Sequence, residues 1–504
     1  MVEDGTRRRW NIISRDDCGT EGETAVDRAL IVPMKCRSIN TWREGGQENK
    51  YEKYREFSEM SFDSVDKTKQ ETEAAHSRPR EDKWNWVERT IWTDRMLMAL
   101  DNGVKGNKWF SLIDKVYKLA TLKQAWQNAK ANKGAAGIDQ ITIDRFSRNA
   151  SKYLEEIATE ITQGRFKPSQ IRRTYIPKSN GKKRPLGIPT VKDRIVQGAI
   201  KMVLEPIWER EFLDTSHGFR PKRGAYGAIQ EVSRHIGEGY TFVVDADIEG
   251  YYDNIPQDRL MQIVATKIAD VRILRLVEGF LTAGIVEEMK EWIPTKGTPQ
   301  GSVLSPLLAN IYLHPLDVLM KQRGYRMVRY ADDFMILCKS EQEAQKAKEE
   351  VQQWMTENGL KLHQGKTRIC NCAIEGQGFD FLGFRFDQKY KFVRKSSKEK
   401  LKEKIREKTK RTAGKRVSEV IKSLNKILIG WFNYFKIAQG KIHRETDQFI
   451  RRRLRAILRK QEKRGGMGYT RDDCDRWPNE YFAKLGLFSL EAARAQWRMA
   501  NQSR

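Results

Sequence analysis

From Trp84 onward the chain is apolar in a helical rhythm. Trp109, Leu112, Ile113, Val116, Leu119, Ala120 and Leu122 recur at intervals that mark one buried helical face. Between about 171 and 386, strand-like runs alternate with helical patterns. Strands are expected at 241–247 and 327–339, and helices at 193–212 and 341–358. Alternation of this kind predicts an α/β or α+β domain. Residues 397–464 are helical in pattern throughout, Gly465-Gly466 ends the run, and a small piece, 467–504, follows. The first 80 residues are polar, with little periodicity, and close on Ser77-Arg78-Pro79-Arg80. They read as a mobile extension with one helix near 48–60. The chain shows no internal repeat.

Length and charge narrow the class. The 504 residues suggest two to four domains at roughly 100–200 residues each. No stretch approaches the roughly 18 apolar residues of a spanning helix, so no membrane partner is expected. The start, with Glu3, Asp4 and three arginines, carries no apolar run of the secretory kind. Six scattered cysteines, at 18, 36, 338, 370, 372 and 474, make no disulfide framework and predict reduced thiols in a cytoplasmic protein. The net charge of +27 is concentrated rather than spread. Residues 391–464 hold 26 Lys+Arg against 7 Asp+Glu, whereas residues 1–80 hold 15 against 16. Self-repulsion that dense is relieved by a polyanion, and nucleic acid is the first candidate.

The densest chemical signal is Tyr330-Ala331-Asp332-Asp333, flanked by Met327-Val328-Arg329 and Phe334-Met335-Ile336-Leu337. It reads as a hairpin with two acids at its tip. Adjacent carboxylates repel each other unless a cation sits between them. A second acidic site lies where the 241–247 strand ends, in Asp245-Ala246-Asp247-Ile248-Glu249-Gly250-Tyr251-Tyr252-Asp253. Hard oxygen ligands from Asp247 and Asp332, supported by Asp333, suit two Mg²⁺ ions acting at both ends of a phosphoryl transfer. Asp245 and Asp253 read as caps or salt-bridge partners. A basic hairpin, 175–189, turns at Asn180-Gly181 and places Lys178 and Arg184 on either side, suited to a triphosphate. Lys182 and Lys183 read as solvated. In Gly297-Thr298-Pro299-Gln300-Gly301, glycines allow close backbone approach and Gln300 offers both donor and acceptor to a base or sugar.

Together these segments resemble a group II intron-encoded reverse transcriptase, or maturase, over about 128–464. The series also takes in Gly134-Ala135-Ala136-Gly137-Ile138-Asp139, Gly218-Phe219-Arg220-Pro221, Ser305-Pro306-Leu307-Leu308-Ala309-Asn310, Gly359-Leu360 through Lys366-Thr367, and Phe381-Leu382-Gly383-Phe384. Each piece alone is weak, and their common order is strong. The resemblance implies metal ligation at Asp247, Asp332 and Asp333, with Ile248 among the metal-binding positions. It implies nucleotide binding by Lys178, Arg184, Gln300, Tyr252 and Lys366. Tyr252 would exclude a ribose 2′ hydroxyl by bulk, and Lys366 would protonate departing pyrophosphate. Gly134 and Gly137 belong to a loop closing over the template, and Phe381, Leu382 and Gly383 to a turn holding the primer.

The implied architecture is an α+β right hand: a mobile extension (1–82), fingers and palm on an antiparallel sheet (83–390), a three-helix thumb or maturase domain (391–465), and a short tail (466–504). That tail either contacts DNA or caps the thumb. Arg451, Arg452, Arg453 and Arg455 would grip intron RNA, largely through shape and phosphates. After His443 there is no histidine, and after Cys372 only Cys474, so a His-Asn-His endonuclease is not expected in this chain. The implied function is RNA-directed DNA synthesis that serves splicing and retrohoming. Its partners would be intron RNA, a DNA target or primer and dNTPs, acting on the nucleoid, with a dimer left open. Two alternatives stay open: a splicing cofactor with an idle polymerase site, and a domesticated reverse transcriptase in defence.

Overall fold

The run Phe334-Met335-Ile336-Leu337-Cys338 is apolar at every position because, in the computed structural model, it lies in a sheet buried on both faces. The structure describes residues 83–502, apart from 178–180, 182, 289 and 389. The expected helix near 48–60 and the whole 1–82 extension fall outside the described residues.

Eleven strands among the described residues form three sheets. The central one, in order β6-β7-β3-β8, is antiparallel throughout and comprises β6 (Arg326–Tyr330), β7 (Asp333–Cys338), β3 (Phe242–Asp247) and β8 (Arg368–Asn371). Alternation divides its side chains between two cores. Val244, Ala246, Phe334 and Ile336 join the cluster that includes Ala344, Ala347 and Val351 of the Glu341–Glu357 helix. Val243, Met335 and Leu337 join a second cluster with Ala228, Ile229 and Val232 of the Ala225–Gly237 helix.

The second sheet, β2-β1-β4-β5, contains the hairpin β1 (Ile171–Pro177) and β2 (Lys183–Ile188), then β4 (Ile285–Glu287) and β5 (Lys290–Trp292). β4 pairs with β1 in parallel, a long-range contact that strand patterns do not reveal. The third, β11-β10-β9, joins β9 (Phe379–Phe381), β10 (Phe384–Asp387) and β11 (Tyr390–Val393). Its register sets Phe384 against Phe381 and Phe386 against Phe379, and the Phe379 and Phe386 rings stack at 5.0 Å. Such cross-strand aromatic pairs are what stabilise so short a sheet.

The helix expected at 193–212 spans Val191–Glu211. It starts earlier because Thr190 caps it, its hydroxyl accepting from the Asp193 amide while donating to the Asp193 carboxylate at 2.6 Å. The helix Ser305–Gln322 starts with proline in its first turn, as helices favour, and is buried along most of its length.

The region 397–464, helical in pattern, is expected to hold three helices. It comprises three helices, Lys395–Lys408, Val417–Phe435 and Ile442–Gln461. Arg411, Gly414 and Lys415 lie in the first break, where polar residues and glycine end the apolar rhythm. Phe435, Ile437 and Ile442 share a core with β9–β11, so the strands and the helices are joined by one apolar cluster across position 391. The tail also packs inward. Trp477, Phe482 and Leu490 are buried among Leu424, Leu428, Leu454 and Ile457.

The buried carboxylate of Asp447 anchors the last tail helix, Leu490–Gln502. It accepts from the Leu490 and Glu491 amides at 3.1 Å each and from the Ser489 hydroxyl at 2.8 Å. Asp447→Ala takes the acceptor from the buried Leu490 amide and from the less buried Ser489 hydroxyl and Glu491 amide, a loss of about 1–2 kcal/mol. Amide exchange across 489–502 is expected to accelerate in that variant, and unchanged protection would show that the cap does not hold the tail.

Candidate active site

The β3–β7 register pairs Asp247 with Asp333, and the hairpin closes with Tyr330 opposite Asp333. The two acidic segments expected from sequence therefore meet at one end of the central sheet. Asp332 occupies the turn itself, beside Ala331, whose φ of +59° is left-handed. Asp245 lies one pleat back on the same face as Asp247 and pairs with Arg368 at 3.3 Å, the salt-bridge role expected of it.

These acids repel one another. Burial, and then the charges of Asp245, Asp332 and Asp247, push the Asp333 carboxyl up to about 7. Burial and the Asp247 charge also raise Asp332, and burial raises Asp245 against the opposing pull of Arg368. Asp247 is held by the segment that follows the Glu341–Glu357 helix. His363 donates its amide to the Asp247 carbonyl at 2.8 Å, and Lys366 Nζ lies 2.7 Å from Asp247 Oδ2. Among the described residues no three acidic, histidine or cysteine side chains converge closely enough to hold a metal ion by themselves. What the fold supplies is a set of hard oxygen donors under mutual repulsion, which suits a divalent cation rather than a soft metal. Ile248 follows β3 directly, with its side chain buried.

Beside the acids lies a polar chain. Arg184 on β2 donates from Nε to Gln300 Oε1 at 2.9 Å, and Gln300 Nε2 reaches Asp253 Oδ2 at 3.4 Å. The Gln300 loop is pressed onto β2: Gly187 donates to the Gln300 carbonyl at 2.6 Å, and a Cβ on Gly301 would meet the Gly187 carbonyl at 2.2 Å. The same loop docks on the turn bearing Tyr252, with the Thr298 amide donating to the Tyr252 carbonyl at 2.7 Å. Tyr252 is half-buried beside Tyr251, whose hydroxyl donates to the Ala309 carbonyl at 2.6 Å. Lys178 falls outside the described residues.

The 134–139 loop is braced from below, Arg172 donating to the Ala136 carbonyl at 2.7 Å and Arg194 to the Ala135 carbonyl. A cavity of about 850 Å³ runs from Gly134 past Leu186 and Gly301 to Asn128 and Trp86. Gly137 packs on the backbone of Thr190. Phe381 is buried, while Leu382 and Gly383 form the turn between β9 and β10 with φ of +46° and +82°. Their carbonyls are tied to the helical region, Leu382 accepting from the Tyr434 hydroxyl at 2.9 Å and Gly383 from the Arg394 amide at 3.0 Å.

The arginines of the Ile442–Gln461 helix divide. Arg452 is exposed and Arg451 and Arg453 are half-buried. Arg452, Arg453, Lys402 and Arg406 surround the Phe449 ring within 6 Å, a crowd of four cations. Arg455 departs from the expected RNA-binding role. It is buried, donates to the Trp477 carbonyl at 2.9 Å and reaches Asn479, so it fastens the tail. Sequence reasoning missed this because four arginines in a row of five look alike until the helix phase shows which one faces inward.

Residues 176–386 match the family model for reverse transcriptase (RNA-dependent DNA polymerase), and residues 398–476 match the group II intron, maturase-specific domain. The chain belongs to the group II intron-encoded reverse transcriptases. Group II intron-encoded protein LtrA of Lactococcus lactis subsp. cremoris is 44% identical over 201 residues, which cover 39% of this chain and 33% of that protein. Protein YkfC of Escherichia coli (strain K12) is 33% identical over 309 residues, covering 53% and 80% respectively. The putative COX1/OXI3 intron 1 protein of Saccharomyces cerevisiae is 25% identical over 424 residues, covering 72% and 47%. The chain thus spans about a third of the length of LtrA in that match. No helix among the described residues is long and apolar enough to cross a membrane.

The raised Asp333 carboxyl has a signed consequence for this reverse transcriptase family member. Its ordinary value of 3.8 applies to the unfolded chain, and the folded value is about 7. The unfolded state therefore ionises first as pH rises, and folded stability falls between those values and then levels off. In metal-free buffer, the thermal midpoint of Asp333→Asn relative to wild type is expected to gain more at pH 8 than at pH 5. An equal offset at both pH values would contradict the charge-repulsion account.

Proposed function

We propose that this protein is an RNA-directed DNA polymerase that extends a DNA 3′ end on an RNA template. It also binds its own intron RNA to assist splicing and to return the intron to DNA by target-primed synthesis. The observation that carries the reading is the meeting of Asp247 with Asp332 and Asp333 beside the Arg184–Gln300 pair. In this reading the central sheet is the palm, β1–β2 with β4–β5 the fingers, and the three helices after β11 the thumb. The domain limits 83–390, 391–465 and 466–504 go with this reading, except that the first boundary moves past β11 (Tyr390–Val393), which it would cut, and the tail caps the thumb.

Asp247, Asp332 and Asp333 would hold two Mg²⁺ ions, with Ile248 contributing its main-chain carbonyl, the one donor an isoleucine has. When bound, the metal pair polarises the attacking hydroxyl and the triphosphate. The protein's own groups do the rest. Arg184 and Lys178 neutralise triphosphate oxygens, and Gln300, already fixed by Arg184, lies against the incoming nucleotide and templating base. The ring of Tyr252 occupies the space a 2′ hydroxyl needs. Lys366 carries a proton at Nζ next to Asp247 and hands it to departing pyrophosphate. The 134–139 loop and its neighbouring cavity carry the template, and the Leu382–Gly383 turn carries the primer. Intron RNA lies on the cations around Phe449 and on Arg451 of the same helix, with phosphates taking up their mutual repulsion.

Primer extension with Mg²⁺, an RNA template, a DNA primer and dNTPs tests this. Wild type is expected to synthesise DNA, and Asp332→Ala/Asp333→Ala to lose at least about 10³-fold in rate. Tyr252→Ala should keep most dNTP incorporation while accepting rNTPs roughly 10- to 100-fold more readily. A wild-type protein that binds intron RNA tightly yet extends nothing would give the splicing-cofactor reading the stronger claim.

A further inference from the structure

The turn that carries Asp332 is unfavourable by its own sequence. A two-residue hairpin loop with positive φ at its first position favours glycine there, yet this one has Ala331 at +59°. Left-handed backbone costs a residue with a Cβ about 1–2 kcal/mol, so the conformation must be imposed from outside the loop. The imposing group is visible. Arg329 and Asp317 are both fully buried, and the guanidinium forks onto the carboxylate at 2.7 Å and 2.5 Å. Its remaining nitrogen, Nη1, donates to the Ala331 carbonyl at 3.0 Å and to Asn310 Oδ1 at 2.9 Å.

Asn310 completes the ring, donating from Nδ2 to the Gly218 carbonyl at 2.8 Å. Residues 215–218 in turn lie along β6, with the Arg329 amide on the Thr215 carbonyl and the His217 amide on the Arg329 carbonyl, both at 2.8 Å. Contact with the turn is so close that a Cβ on Gly218 would come within 2.4 Å of the Ala331 amide nitrogen. Asn310 and Asp317 both project from the Ser305–Gln322 helix, the element that also receives the Tyr251 hydroxyl at Ala309.

We infer that Asn310, Asp317 and Arg329 are positioning residues of the polymerase, a buried clamp that fixes the Ala331 backbone and through it the direction of the Asp332 carboxylate. A buried ion pair is weak evidence for stability, because well-packed apolar residues of similar volume often replace one at no loss. Geometry explains this one better: a planar fork reaches an acid, an amide and a turn carbonyl at once. A lysine cannot do this, having one compact ammonium group. The inference rests on the polymerase reading and refines it.

The test uses the full chain and three variants: Arg329→Lys, Asn310→Ala, and the apolar exchange Asp317→Leu/Arg329→Met. Two readouts are taken, single-nucleotide primer extension and Mn²⁺ affinity measured by calorimetry without nucleic acid. The apolar exchange is expected to keep a thermal midpoint close to wild type while kcat falls about 10- to 100-fold, with KM for dNTP and primer–template within about twofold. Mn²⁺ affinity should drop about tenfold in the same protein. Should the exchange fail to fold, Asn310→Ala, which removes one leg of the clamp, is expected to show a smaller shift in the same two quantities. Wild-type kcat and Mn²⁺ affinity in a folded variant would overturn the clamp. A wild type that binds Mn²⁺ but extends no primer would instead overturn the polymerase reading, while the Mn²⁺ comparison still judges the clamp.

Discussion

Everything in the site depends on the register of one strand pair. With β3 and β7 aligned so that Asp247 faces Asp333, the acid-bearing ends of two distant segments become neighbours. A slip of one residue would send Asp245 and Asp247 to the opposite face and bring Val244 and Ala246 out of their core. Burial of both faces forbids that slip, because each face is matched to its own helix: Val243, Met335 and Leu337 to Ala225–Gly237, and Val244, Phe334 and Ile336 to Glu341–Glu357. Hydrophobic burial of roughly 25 cal/mol per Å² thus sets the position of the charges, although no charge contributes to it.

The cost appears at the sheet's end. Four carboxylates within two strands and a turn are held at close quarters, and burial raises Asp332 and Asp333 together. Structural elements around them supply what balances the repulsion. Lys366 lies against Asp247, Arg368 against Asp245, and Arg184 is steadied by Gln300 a short distance away. Lys366 and Arg368 come from one segment and Arg184 from β2, both distant in sequence from the acids, so the site is assembled by tertiary structure and is present only when the sheets and loops are all in place.

Much of this was legible in the sequence, for a definable reason. The Asp332–Asp333 hairpin, the strand ending at Asp247 and the helices on either side are local, and apolar alternation with turn residues specifies local structure. Long-range pairing was not legible. Nothing in Ile285–Glu287 announces that it joins β1 in parallel, and nothing around Phe379 or Phe386 announces a small aromatic sheet sharing its core with Phe435. Arg455 shows the same limit at a single residue: its composition says nucleic acid, and its phase on the helix says interior. Lys178 and the 48–60 helix lie outside the described residues and remain expectations from sequence.

In the proposed function, β3 and the β6–β7 turn together bind the divalent cations. Replacing Mg²⁺ by Fe²⁺ and adding peroxide with ascorbate generates radicals that cut the backbone next to the metal. Mass spectrometry of the fragments then reports where the metal was held. Two groups of cuts are expected, at 247–248 and at 331–333, suppressed by excess Mg²⁺ and absent from Asp332→Ala/Asp333→Ala. Cleavage confined to one of those segments, or placed elsewhere in the chain, would contradict that reading.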